Sequence, residues 1–142
     1  MIAKQLSVFI ENRQGRLGEV LEALKKGGVN ILSLSLADTA EYGLLRLILN
    51  NPEEGKKILA ASGFSSMLTD VSIIKIPHKS GSLQGLLEML AENDLNVEYM
   101  YALSVEGKTA YIVLKTSDMK KTDEIFDKRG VLTLSSSEIS DI

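Results

Sequence analysis

Apolar and polar positions alternate near the start of the chain, with Leu6, Val8 and Ile10 on every second residue. That period predicts a strand over residues 5–10. The period then changes. Leu17, Val20, Leu21 and Leu24 fall three and four residues apart, on one face of a helix that opens after Gly15 and stops at Gly27-Gly28. Alternation returns in "VNILSLSLAD" and "YGLLRLILN", which predict the second and third strands. "NPEEGKKILAASG" carries helix-start chemistry, with Asn51 as N-cap, Pro52 as first helical residue and Glu54 as capping-box acid. A fourth strand is predicted over residues 64–69.

The same order then repeats. From Gly15 to Gly81 the shift is 66 residues, and it also carries Val8 onto Ile74, Leu17 onto Leu83, Val20 onto Leu86, Leu24 onto Leu90 and Asn30 onto Asn96. Farther on the register slips by one, so that Leu47, Ile48 and Leu49 match Ile112, Val113 and Leu114, as an insertion in a turn would cause. The second copy predicts a strand over residues 71–76, a helix after Gly81 stopped by Asn93-Asp94, and strands in "LNVEYMYALS" and "KTAYIVLKT". A helix in "SDMKKTDEIFDKRG" ended by Gly130 and a last strand over residues 131–136 complete it. Residues 1–70 and 71–142 therefore read as two copies of one unit.

A strand-helix-strand-strand-helix-strand order with two crossovers gives an antiparallel four-stranded sheet with both helices on one face. The fold class is α+β, two ferredoxin-like βαββαβ units. A unit of this size has a thin core, and two on one chain stabilise each other.

Composition changes this picture little. The 142 residues are 44% hydrophobic and 25% charged with a net charge of -3, which disfavours a general nucleic-acid binder. No cysteine is present, so a disulfide, a thiolate metal site and a cysteine nucleophile are excluded, and a cytoplasmic protein is expected. His78 is the only histidine, so no histidine-rich metal site exists, and no cofactor is expected. The N-terminus has no long apolar run, neither signal peptide nor membrane span.

Alternation also assigns the faces of the sheets. Leu32, Leu34 and Leu36 point with Leu45, Leu47 and Leu49 toward the helices, as do Met100, Ala102, Ile112 and Leu114 in the second copy. The opposite faces carry Phe9, Leu44 and Ile48 with Ser33, Ser35 and Arg46, and then Ile73, Tyr99, Tyr101, Tyr111 and Val113. Phe9, Leu44, Ile48, Ile73, Tyr99, Tyr101 and Tyr111 are the expected interface, covered by a second copy in a homodimer or by a partner protein.

An N/D-x-x-G-x-L turn, a helix, then "GVNI" at the second strand resembles the ACT domain. Asn12, Gly15, Leu17, Gly28, Val29, Asn30 and Ile31 carry the match in copy one, and Gly81, Leu83, Leu95, Asn96 and Val97 in copy two. The chain is similar to stand-alone proteins made of two ACT units. The resemblance implies a non-catalytic, allosteric regulatory protein that binds a small ligand, most often an amino acid, at a junction between units. It also implies that units sit side by side through their second strands as an eight-stranded sheet, and that an enzyme is the regulated partner. Copy two departs from the pattern with His78 for Asn12 and Asp94 for Gly28, and Gln14 and Ser80 stand where the family turn carries proline.

The turn suits an amino acid on physical grounds. A glycine lets backbone approach a ligand, and the start of a helix offers unpaired N–H groups to a carboxylate. Asn12 and Asn30 are expected to flank the loop and take the ammonium, with Arg13 and Arg16 on the carboxylate. The expected ligand residues are Asn12, Arg13, Gln14, Gly15, Arg16, Leu17, Asn30 and Ile31, and in copy two His78, Gly81, Ser82, Leu83, Asn96 and Val97. The competing account is that the glycines only turn the chain and the arginines are solvated.

Two other functions share this topology. Small acylphosphatase-like enzymes use a loop Arg with an Asn, and Arg13 or Arg16 would be that Arg, but Asp38 and Thr39 stand where the Asn is needed. RNA-recognition modules stack bases on open-face aromatics, which Phe9, Tyr99, Tyr101 and Tyr111 bring to mind. The acidic balance, and a third strand without an "RGFGFV"-like run, oppose it.

Overall fold

The computed structural model describes residues 1–38 and 41–139. They form β1 (Ala3–Glu11), α1 (Arg16–Lys26), β2 (Ile31–Asp38), β3 (Tyr42–Leu49), α2 (Pro52–Ala61) and β4 (Ser65–Pro77). Then follow α3 (Ser82–Glu92), β5 (Val97–Glu106), β6 (Thr109–Thr116), α4 (Met119–Arg129), β7 (Leu132–Leu134) and a short α5 (Ser136–Ile139). The chain divides into two compact units, Lys4–Thr69 and Asp70–Glu138, with Met1–Ala3 joining the latter and Ile139 the former. They are called the first and second unit below.

In the first unit the strand order is β2-β3-β1-β4, and in the second β5-β6-β4, with β7 on the free side of β4. Each is the order a split βαβ unit requires, with antiparallel neighbours β1/β3, β2/β3, β4/β6, β4/β7 and β5/β6. Three expectations are corrected. Among the described residues the strands number seven, not eight. The strands predicted over residues 64–69 and 71–76 are a single strand, because no Gly or Pro interrupts β4 and the backbone stays extended through Asp70. The last strand is also shorter than predicted, giving way to α5 at Ser136.

Local chemistry sets the helix ends. The Asn51 side chain accepts a hydrogen bond from the Glu54 N–H at 3.2 Å, with Pro52 at the first helical position. Asp118 caps α4 in the same way, from the Lys121 N–H at 3.0 Å. Past α1, Gly28 has φ 72, and past α3 the aligned Asp94 takes φ 57 in the same left-handed region.

Both helices of each unit cover one sheet face. In the first unit Val20, Leu24 and Leu59 meet Leu6, Val8, Leu45 and Leu47, and in the second Leu86, Leu90 and Phe126 meet Ile74, Ile76 and Leu114. Cross-strand partners share a face, so the pairing of Leu34 with Leu47 and Leu36 with Leu45 confirms the helix side for β2. Yet Leu34 and Leu36 are 46% and 48% exposed, because β2 ends the strand order and lies at the margin of the helix layer.

The opposite face departs from expectation at two residues. Ile48 and Ile73 are 1% and 0% exposed in the single chain, so the chain itself removes them from solvent and neither is open to a second molecule. Leu44, Tyr99, Tyr101 and Tyr111 are half-buried, while Phe9 is exposed. Among the described residues, no helix is long and apolar enough to cross a membrane.

Candidate functional site

The strand-to-helix turn is built twice with one geometry. Gly15 has φ 88 and ψ -15, and Gly81 has φ 87 and ψ -14. In the first unit the Arg13 N–H donates to the Glu11 carbonyl at 2.8 Å and the Arg16 N–H to the Arg13 carbonyl at 3.4 Å. In the second, Lys79 donates to Pro77 at 3.0 Å and Ser82 to Lys79 at 3.3 Å. A Cβ at either glycine would meet nothing within 4 Å, so it is backbone conformation, not space, that selects glycine.

Beside the first turn lies a depression of about 100 Å³. Asn12, Arg13 and Leu17 line it, together with Glu11 from the end of β1. Ile10, Leu36, Asp38 and Gly43 complete it. Leu36, Asp38 and Gly43 had no place in the predicted site. They reach it through pairing, since Ile10 faces Gly43 and Asp38 faces Gly43 on its other side. The signal for them was Gly43 itself, a glycine inside an apolar strand run, which marks a close approach.

The two arginines part company. Arg13 stays at the turn, its Nε 2.9 Å from Glu11 Oε2. Arg16 turns away onto Phe64, its guanidinium carbon 4.3 Å from the ring centre, and pairs with Glu19. Phe64 and Gly15 line a separate depression of about 500 Å³ that lies along α1. Gln14 is exposed, and Leu17 packs against the first core.

Asn30 and Ile31 do not flank the loop of their own unit. The crossover helix α1 returns the chain to the start of β1, so β2 begins at the far end of the sheet, where Ile31 faces Leu49. Asn30 and Asn50 are joined there by two hydrogen bonds, Asn30 N–H to Asn50 Oδ1 at 3.0 Å and Asn50 N–H to the Asn30 carbonyl at 3.1 Å. With eight residues in β2, about 23 Å of strand separates Ile31 from Asp38. Asn30 and Ile31 instead line a depression of about 380 Å³ with Leu21 and Gly28.

The second unit repeats this separation. Asn96 N–H donates to Ser117 Oγ at 3.1 Å, and Val97 faces Thr116, far along the strand from the Thr109 that faces Pro77. His78 is exposed and its N–H donates to the Lys108 carbonyl at 2.7 Å. Leu83 packs on the second core. Ser82 Oγ is buried without a partner, at the edge of a depression of about 340 Å³ that Met89 and Val131 also line.

The other two functions gain nothing from this geometry. Both candidate phosphate-binding arginines are paired with glutamates, and Thr39 lies outside the described residues. Tyr99, Tyr101 and Tyr111 are half-buried, which leaves no open platform of rings on β5 and β6.

A family model for the ACT domain pair matches residues 1–141. Protein BT0572 from Bacteroides thetaiotaomicron, a crystal structure, is 36% identical over 100% of this chain and 98% of its own, with a TM-score of 0.94. The ligand-free regulatory subunit of aspartate kinase from Thermus thermophilus has a TM-score of 0.62 at 11% identity, covering 89% of this chain and 95% of that one. The corresponding subunit from Thermus flavus has a TM-score of 0.61 at 13% identity, covering 87% and 90%. No curated protein matches the chain. The model match over nearly every residue, on two units that each carry the turn and the strand order, places the chain in the ACT domain family, as an ACT domain pair.

Proposed function

We propose that this ACT domain pair is a non-catalytic regulatory protein of the cytoplasm. It binds an amino acid at the strand-to-helix turn of its first unit, and a second copy of the chain closes the site. The observation that carries this reading is the depression at that turn, where Asn12 and Arg13 stand over apolar residues. Its fold is shared with the aspartate kinase regulatory subunits, and the regulated partner here is an enzyme.

Register and an open strand edge support the second copy. β2 ends its strand order and exposes Leu34 and Leu36, the condition in which a strand edge pairs with another chain. Two β2 edges paired antiparallel set the Asp38 end of one against the Ile31 end of the other. The Asn12 turn of one copy then meets the Asn30 and Ile31 depression of its partner. Ligand shared by two copies favours the paired state, the differential affinity that regulation needs.

Sedimentation of the chain and of Leu34→Glu, with and without amino acids, tests this. The expected result is a dimer that an amino acid tightens, and a variant that is monomeric and binds weakly. A monomer at high concentration that still binds amino acid with full affinity would contradict the shared site.

A further inference from the structure

The first-unit depression has a chemistry that the second unit lacks. Its floor is Ile10, Leu17 and Leu36 around the bare backbone of Gly43. A Cβ on Gly43 would stand 3.0 Å from Ile10 Cγ1 and 3.4 Å from Leu36 Cδ1, so the room depends on the missing side chain. On the rim, Arg13 and Glu11 neutralise each other at 2.9 Å. Asp38 pairs with no cation among the described residues. One uncompensated carboxylate thus stands over an apolar floor.

Register identifies the matching positions in the second unit. Ile76 faces Ala110 as Ile10 faces Gly43, and Pro77 faces Thr109 as Glu11 faces Tyr42. Ala102 faces Ile112 as Leu36 faces Leu45, and Val105 faces Ala110 as Asp38 faces Gly43. So Ala110 replaces the glycine, Ala102 shortens the leucine, and Val105 and Pro77 remove both carboxylates.

We infer that the first-unit depression selects an α-amino acid with a short branched aliphatic side chain, and that its second-unit counterpart does not bind one. This rests on the amino-acid reading above. The aliphatic group lies on the floor, the ammonium faces Asp38, and the carboxylate takes Arg13 from Glu11. Ile10, Leu17 and Leu36 give a branched aliphatic chain apolar surface to bury. A polar side chain on this floor would surrender its water and find no partner.

Isothermal titration of the intact chain with leucine, isoleucine, serine, lysine and 4-methylpentanoate (leucine without its amine) tests this. Leucine or isoleucine is expected to bind one site per chain, about tenfold or more tighter than serine. Asp38→Asn is expected to weaken leucine by about tenfold and leave 4-methylpentanoate unchanged, with the thermal melt confirming that the variant folds. Serine or lysine binding more tightly than leucine would overturn the selectivity and leave the amino-acid reading standing. Two equal sites per chain would overturn the asymmetry. No binding by any amino acid would remove the reading and this inference with it.

Discussion

Arg16 lies over Phe64, its guanidinium carbon 4.3 Å from the ring centre, while Arg13, three residues earlier, lines the depression at the turn. The side chain of Arg16 is only 18% exposed, so it is packing as much as charge. Arg16→Ala is expected to lower stability by about 1 kcal/mol, measured by denaturant melting, and to leave amino-acid affinity unchanged. A loss of affinity at constant stability would return Arg16 to the binding site.

The twin glycines separate shape from binding. Both Gly15 and Gly81 hold a left-handed φ near 88, and an alanine at either costs about 1–2 kcal/mol through backbone strain alone. Gly15→Ala is expected to weaken amino-acid binding as well, and Gly81→Ala to leave it untouched. Titration of the two variants in parallel checks this.

Asp94 holds φ 57, the only described non-glycine residue at positive φ. Replacing it with glycine relieves that strain and loosens the unfolded chain, two effects of opposite sign. The strain is the larger for a residue carrying a Cβ, so Asp94→Gly is expected to raise stability by up to about 1 kcal/mol in a thermal melt. A fall would show that the Asp94 side chain contributes something its position does not reveal.

Much of this was legible because it is local. Asn51, Pro52 and Gly130 announced helix ends through capping chemistry, and the 66-residue shift of glycine and leucine positions announced the duplication. Non-local facts were hidden. Asn30 follows Asn12 closely in sequence and reads as its neighbour, but the crossover helix carries it to the other end of the sheet. Asp38 and Gly43 reach the turn only through the pairing of β2 with β3 and β3 with β1, which no spacing along the chain encodes. Ile48 and Ile73 alternate as surface residues should, and burial by the rest of the chain overrides the pattern.

Gly55 sits where α2 crosses the first core. A Cβ there would lie 2.4 Å from Leu49 Cδ1, and Leu49 is itself buried. Gly55→Ala gains helix propensity but overpacks the core, and the second effect dominates. The expected loss is about 1–3 kcal/mol in denaturant melting, without change in amino-acid selectivity.

Amide chemical-shift mapping of the labelled chain during a leucine titration reads directly where an amino acid binds. The expected result is that amides of Asn12, Arg13, Gly15 and Leu17 shift, with Asp38 and Gly43, while those of His78, Gly81 and Leu83 stay in place. Shifts confined to His78, Gly81 and Leu83, or no shifts with any amino acid, would contradict it.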